Sequence, residues 1–305
     1  MYAVVRRSRM RRSRARKRIE LSPRDLEIFR LLHRYRYLSS TYIHAFVGGA
    51  SETRLKERLG DLFHEGYIDR PEQQWDIANA RCRHAVYESG KGSVEVLRAH
   101  GCTPCDQRTF LAGTAHRQFL HSLMICDVLG SLELGVRGNA GLRLIAWPEI
   151  LGRAPEATRS SQKPFHVPVP SGGYLMPDGM FGIEYAQGGA KAYRFFALEA
   201  DRGTMSIVRS NQNQTSFMGK VAAYREVIAR QVHKAHWGIP NLLVLTVTTS
   251  ESRMREMIRC LGDQSGECAA FLFAAAGDAA LKIPAPSLLA EPWARAGLPP
   301  LRIDA

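Results

Sequence analysis

The chain has 305 residues, 45% hydrophobic and 23% charged, an ordinary globular composition with length for two domains and a sizeable core. The formal net charge of +13 is concentrated: the first eighteen residues carry nine basic side chains and no acid, which leaves 33 basic against 29 acidic residues in the rest. No apolar run approaches the roughly 18 residues of a membrane span. The start MYAVVRRSRM lacks the apolar core of a secretory signal, and six scattered cysteines fit reduced thiols. Together these predict a cytoplasmic protein with no membrane partner.

Residues 1–20 form a basic arm, with Arg11, Arg12 and Arg14 among its cations. Block charge of one sign predicts disorder in the unbound chain. It suits a nucleic acid, since each neutralised phosphate releases a counterion; a plain solvated terminus is the alternative. A first helix starts at Ser22, with Pro23 at the position where its missing N–H costs nothing, and shows Leu26, Phe29 and Leu32 at helical spacing. A short second helix follows Ser39 or Ser40, and Gly48-Gly49 makes a turn.

The third helix, Ser51 to Glu65, organises the first half. Ser51 can cap it, Leu55, Leu59 and Leu62 make one apolar stripe, and Gly66 suits its left-handed exit. Thr53, Arg54, Lys56 and Arg58 lie off the stripe and could face a partner. Strand-like stretches at Tyr67–Arg70 and Ala85–Tyr87 then flank a loop bearing Arg81, Arg83 and His84, with Arg70 at its base. Three helices followed by such a hairpin predict a winged helix-turn-helix. The hairpin's arginines would reach phosphates; an ordinary solvated hairpin is the alternative. Ser51, Thr53, Arg54, Lys56, Arg58, Arg70, Arg81, Arg83, Arg11, Arg12 and Arg14 are the candidate DNA-binding residues.

A helix over 90–100 and a loop at Gly101–Gln107 lead to a long helix over 114–134. The second half then alternates. Strands are expected at 142–147, 165–169, 174–185 and 192–200, with a polar loop over 152–164. A helix over 212–233 precedes the apolar strand Asn241–Thr248, then a helix from Glu251 and a strand at 269–276. Such an antiparallel pair feeding a β-α-β crossover predicts a mixed sheet, hence an α/β (α+β) protein. The Pro/Ala-rich tail from 283 is expected to lie along the surface.

Pro177-Asp178 in one strand and Glu199-Ala200-Asp201 at the end of the next could bring three carboxylates together. Residues two apart in a strand share a face, and clustered carboxylate oxygens suit Mg²⁺, which could activate water against a phosphodiester.

This arrangement resembles the PD-(D/E)xK nuclease superfamily: Pro177-Asp178 matches its first motif and Glu199 the first acid of its second. The motif lysine is absent; Asp201 stands there, and Lys220 on the following helix is the substitute. The resemblance implies a restriction-endonuclease-like domain and, were the site active, catalytic residues Asp178, Glu199, Asp201 and Lys220 with Mg²⁺ on the three carboxylates.

LSPRDLEIFRLLHRYRYLSS, YLMPDGMFGI and FFALEADRGT, followed by Lys220 and Tyr224, together resemble the plasmid replication-relaxation protein family. The domain reading is therefore a basic arm (1–20), a winged helix-turn-helix (21–105), a restriction-endonuclease-like α/β domain (106–282) and a tail (283–305).

Cys102 and Cys105 form a lone CxxC of no common zinc spacing, better read as reduced loop thiols than as a metal site. The expected function is binding of double-stranded DNA in the transcription, replication or transfer of a plasmid or other mobile element, beside a degenerate nuclease-like domain. A two-fold DNA site would call for a homodimer, and other proteins of a DNA-processing complex are partners to test. A metal-dependent nuclease or nickase and a protein-interaction module are the alternatives.

Overall fold

The structure, a computed structural model, describes residues 8–13, 19–49, 51–76, 84–102, 116–187, 190–208, 216–263, 269–276 and 283–305. Arg14, Arg81, Arg83 and Cys105 lie outside them. The chain divides into two compact units, residues 1–130 with 282–284, and residues 131–281 with 285–305.

The first unit begins with α1 (Pro23–Tyr35), β1 (Leu38–Ser39), α2 (Ser40–Val47) and α3 (Glu52–His64). Ser22 caps α1 by a reciprocal box in which its hydroxyl accepts from the Asp25 N–H while the Asp25 carboxylate accepts from the Ser22 N–H. Ser51 caps α3 by accepting from the Arg54 N–H at 3.2 Å. Leu55, Leu59 and Leu62 are buried, as their spacing requires. Gly66, at φ 84°, turns the chain out of the helix.

β2 (Ile68–Asp69), β3 (Val86–Ser89) and α4 (Lys91–Ala99) follow. The strands form an antiparallel sheet in the order β1-β3-β2. Phe29, Leu32, Tyr42 and Ile43 make the core with the leucines of α3.

The long helix α5 (His116–Arg137) closes the first unit, and from Ser131 on belongs to the second. Contrary to the expectation of no span-like run, Gln118–Arg137 is long and apolar enough to cross a membrane by length and composition. Its apolar window is 67% buried within the protein, which marks a core helix. Asp127 on α5 is buried, and its Oδ1 has no hydrogen-bond partner among the described residues. Burial raises its carboxyl well above the usual carboxylate range. A carboxyl raised on folding contributes most stability below about pH 4, its unfolded value, and loses it as pH climbs towards the folded one. Asp127→Asn should therefore raise the melting temperature at pH 7 and leave it unchanged near pH 3.5, read by thermal denaturation at both.

The second unit is built on a seven-stranded mixed sheet. In chain order its elements are β4 (Leu142–Ala146), α6 (Trp147–Arg153), α7 (Glu156–Arg159), β5 (Val167–Pro168), β6 (Tyr174–Leu175), β7 (Gly179–Gln187), β8 (Ala190–Asp201), α8 (Phe217–Ala229), α9 (Val232–Trp237), β9 (Leu243–Thr248), α10 (Glu251–Gly262), β10 (Phe271–Ala275), β11 (Trp293–Arg295) and β12 (Leu298–Leu301). The strand order is β12-β11-β10-β9-β8-β7-β4, with β8, β9 and β10 parallel and the remaining pairs antiparallel. Helices α8 and α10 make the two crossovers, so β9 is buried on both faces and reads as an apolar run.

Three expectations change. The stretch 174–185 is two strands, because the chain bends at Asp178 between the small β5–β6 hairpin and β7. The helix over 212–233 is α8 and α9, divided at Gln231, whose φ of 55° is left-handed. The tail, though mostly exposed, is not merely laid along the surface: β11 and β12 extend the sheet at its edge, with Gly297 (φ 67°) in their turn. Trp293 and Ile303 are buried there, and the Tyr185 hydroxyl donates to the Ile303 carbonyl at 2.5 Å.

Candidate functional site

On α3, Thr53, Arg54 and Lys56 are exposed, with Lys56 in an i,i+4 pair to Glu52 at 2.9 Å. Arg58 is committed to its own unit. Its Nε donates to Asp25 Oδ1 at 3.0 Å, and its Nη2 donates to Asp25 Oδ2 at 2.6 Å and to the Glu20 carbonyl at 2.7 Å. Asp25 is only 1% exposed. Burial alone would raise its carboxyl; the bonds from Arg58 and Ser22 win and hold it below the usual range. The Ser-x-x-Asp start of α1 was the available signal that Asp25 is a capping acid needing a cation.

Part of the basic arm is seated on the same unit. Arg12 Nε donates to the Phe63 carbonyl at 2.9 Å and Nη2 to the Ile68 carbonyl at 3.2 Å, and the guanidinium pairs with Asp69 and lies over the Phe63 ring. The Ser13 N–H donates to His64 Nδ1 at 3.0 Å. Arg70 donates to the Arg9 carbonyl at 2.7 Å and to the Tyr87 hydroxyl at 3.1 Å, its guanidinium 4.3 Å from the Phe63 centroid. Arg12 and Arg70 are thus anchors, while Arg11 remains exposed.

In the second unit, Asp178, Glu199, Lys220 and Tyr224 converge where β7, β8 and α8 meet. Glu199, 7% exposed, accepts from Lys220 Nζ at 2.5 Å on Oε2 and from the Tyr224 hydroxyl at 2.6 Å on Oε1. Asp178 Oδ2 accepts the Ala200 N–H at 2.9 Å. Burial lifts the Glu199 carboxyl to about 7, with the Asp178 charge adding to it and Lys220 and Tyr224 opposing. Burial by itself would lower Lys220, yet the carboxylates of Glu199, Asp178 and Asp201 hold it above the ordinary lysine value. Burial and the Glu199 charge keep the Tyr224 hydroxyl protonated.

Asp201 does not join them. Thr248 donates to its Oδ2 at 2.8 Å, and Arg253 Nη2 to its Oδ1 at 2.9 Å, with a second bond from Arg253 Nε. The expected three-carboxylate cluster is therefore not formed, and no group of three or more His, Cys, Asp or Glu among the described residues is arranged to hold a metal. A divalent cation at Asp178 and Glu199 would have to compete with the Lys220 ammonium, which already sits against Glu199 Oε2, and with the Tyr224 hydroxyl on Oε1.

The fold and this cluster define an α/β protein that joins a helix-rich unit with a small sheet to a mixed-sheet unit carrying a lysine–glutamate–tyrosine centre. The chain belongs to the replication-relaxation family, whose model matches residues 29–243 and so spans both units. Membership gives it a role in replication or relaxation. No curated protein and no solved structure matches it.

Proposed function

We propose that the first unit is a winged helix-turn-helix that binds double-stranded DNA through the amino-terminal half of α3, in the replication, transfer or transcriptional control of a plasmid or other mobile element. The observation carrying this reading is the outward display of Thr53, Arg54 and Lys56 on a helix fixed from behind by Leu55, Leu59 and Leu62. Such a helix can enter a major groove, where arginine and lysine meet base edges and phosphates. Arg11 adds sequence-independent affinity. A palindromic site would be met by a homodimer.

Replacing Arg54 and Lys56 by alanine together should weaken duplex binding at least about tenfold, and each phosphate left without its cation should flatten the salt slope by about 1. Gel shifts over a salt series measure both. Unchanged affinity and slope would remove α3 from the interface.

The second unit is read as a relative of nucleases that does not run Mg²⁺-dependent cleavage, since its Asp201 is held by Arg253 and its Glu199 by Lys220 and Tyr224. Supercoiled plasmid incubated with Mg²⁺ or Mn²⁺ should be nicked no faster by the wild type than by Asp178→Ala. Nicking that this substitution abolishes would restore the nuclease reading.

A further inference from the structure

Four residues before Asp178, the β5–β6 hairpin shows an aromatic surface that nothing above employs. Tyr174 is 72% exposed and Met176 39% exposed, while Leu175 between them is buried along with Pro177. Exposure alternates over 174–177, so Tyr174 at the start of β6 and Met176 just past its end show on the same outer side, two residues before the bend at Asp178. Four residues of even fully extended chain span at most about 13 Å, so Tyr174 lies within that distance of Asp178.

The platform is held rigidly. The Gly172 N–H donates to the Val169 carbonyl at 2.8 Å and the Val169 N–H to the Gly173 carbonyl at 3.2 Å, with Gly172 and Gly173 at φ 113° and 77°. The Ser171 N–H donates to Glu226 Oε2 on α8 at 2.9 Å, so the helix that brings Lys220 and Tyr224 to Glu199 also fastens the hairpin. The His166 ring lies 6.0 Å from that of Tyr174, tilted by 59°. The His166 N–H donates to the Lys163 carbonyl at 3.0 Å, which holds the backbone of the exposed Lys163 in the turn before β5.

We infer that Tyr174 and Met176, flanked by His166 and Lys163, form a stacking platform for single-stranded DNA that leads to the Asp178–Glu199–Lys220 cluster. An exposed aromatic on a fixed backbone stacks any base and has little conformational freedom to lose, and Lys163 supplies the charge a phosphate requires. A peptide partner fits less well, because only two apolar side chains are exposed on this strand. Single rather than double strands are indicated, since a paired duplex keeps its base faces covered. Replication and relaxation both expose such strands. This surface lies in the second unit, so the inference stands apart from the duplex binding proposed for α3.

The test uses the full chain with a fluorescent fifteen-nucleotide oligo(dT), read by anisotropy, and a labelled duplex in parallel. Tyr174→Ala should weaken oligo(dT) binding at least about fivefold while Tyr174→Phe keeps it. Lys163→Ala should reduce the salt slope for oligo(dT) by about 0.7. Duplex affinity should stay unchanged in all three variants, whose melting temperatures check that the fold is intact. Oligo(dT) affinity within twofold of wild type in Tyr174→Ala would overturn the inference, as would an equal loss on duplex. Failure of α3 variants to alter duplex binding would bear on the earlier proposal alone.

Discussion

Replacing Arg58 by alanine should destabilise the first unit by about 3 kcal/mol, the usual cost of stripping a buried ion of its partner. The residue sits on the third helix among side chains that face outward, so a loss of DNA binding in this variant would invite the wrong explanation. Its guanidinium grips both oxygens of Asp25, a carboxylate that is itself the capping acid of α1. Without Arg58, Asp25 keeps the Ser22 bonds but loses its only ion pair among the described residues. Asp25 is depressed on folding, so its contribution is complete above its unfolded value near pH 4 and is lost as pH falls through the lower folded value. The deficit of Arg58→Ala against wild type should accordingly be full at pH 7 and shrink below about pH 4. Denaturant unfolding at the two pH values measures it; a variant as stable as wild type at pH 7 would mean that the pair contributes no more than a surface bridge.

Lys220→Met should lose stability in the same direction with pH but over a higher range. Glu199 is buried, and its carboxyl already stands near 7 with the ammonium beside it. Removing that charge pushes the carboxyl higher still, so the folded variant carries a neutral acid at every ordinary pH. The unfolded chain releases that proton above about pH 4.3, and the difference costs about 1.4 kcal/mol per pH unit. Wild type carries the same cost up to about pH 7, where its own Glu199 ionises, so the loss should stay below about 1 kcal/mol near pH 5 and grow above pH 7 to about 1.4 kcal/mol at pH 8. Adding Glu199→Gln to Lys220→Met should recover most of the loss at pH 8, because an amide has no charge to bury. An equal loss at both pH values would show that Lys220 acts through packing of its stem alone.

Arg58 and Asp201 show where sequence reading stops. Each belongs by local spacing to a functional set, one to the exposed face of a helix and the other to a pair of acids on one strand face. Each is diverted by a partner far along the chain, Arg58 by Asp25 at 33 residues and Asp201 by Arg253 at 52. Long charged side chains choose partners by three-dimensional proximity and by the cost of leaving a buried charge alone, and neither quantity is periodic in sequence. Arg12 and Arg70, grouped with the phosphate-facing cations by the charge of the arm and of the hairpin, likewise have partners within their own unit and lie over Phe63.

What the amino-acid order determined by itself was local. Capping serines at 22 and 51 start α1 and α3, the leucines of α3 face inward, and the apolar run of β9 lies in the middle of the sheet. These follow from backbone hydrogen bonds and side-chain periods that act over a few residues. The replication-relaxation resemblance was legible for the same reason, because short motifs survive as strings. Tertiary structure decided the rest: the tail joins the sheet as β11 and β12, α5 buries a span-like apolar stretch in the core, and Lys220 and Tyr224 meet Glu199 across more than twenty residues. Those outcomes depend on which surfaces remain to be covered once the local elements exist, a property of the assembled chain.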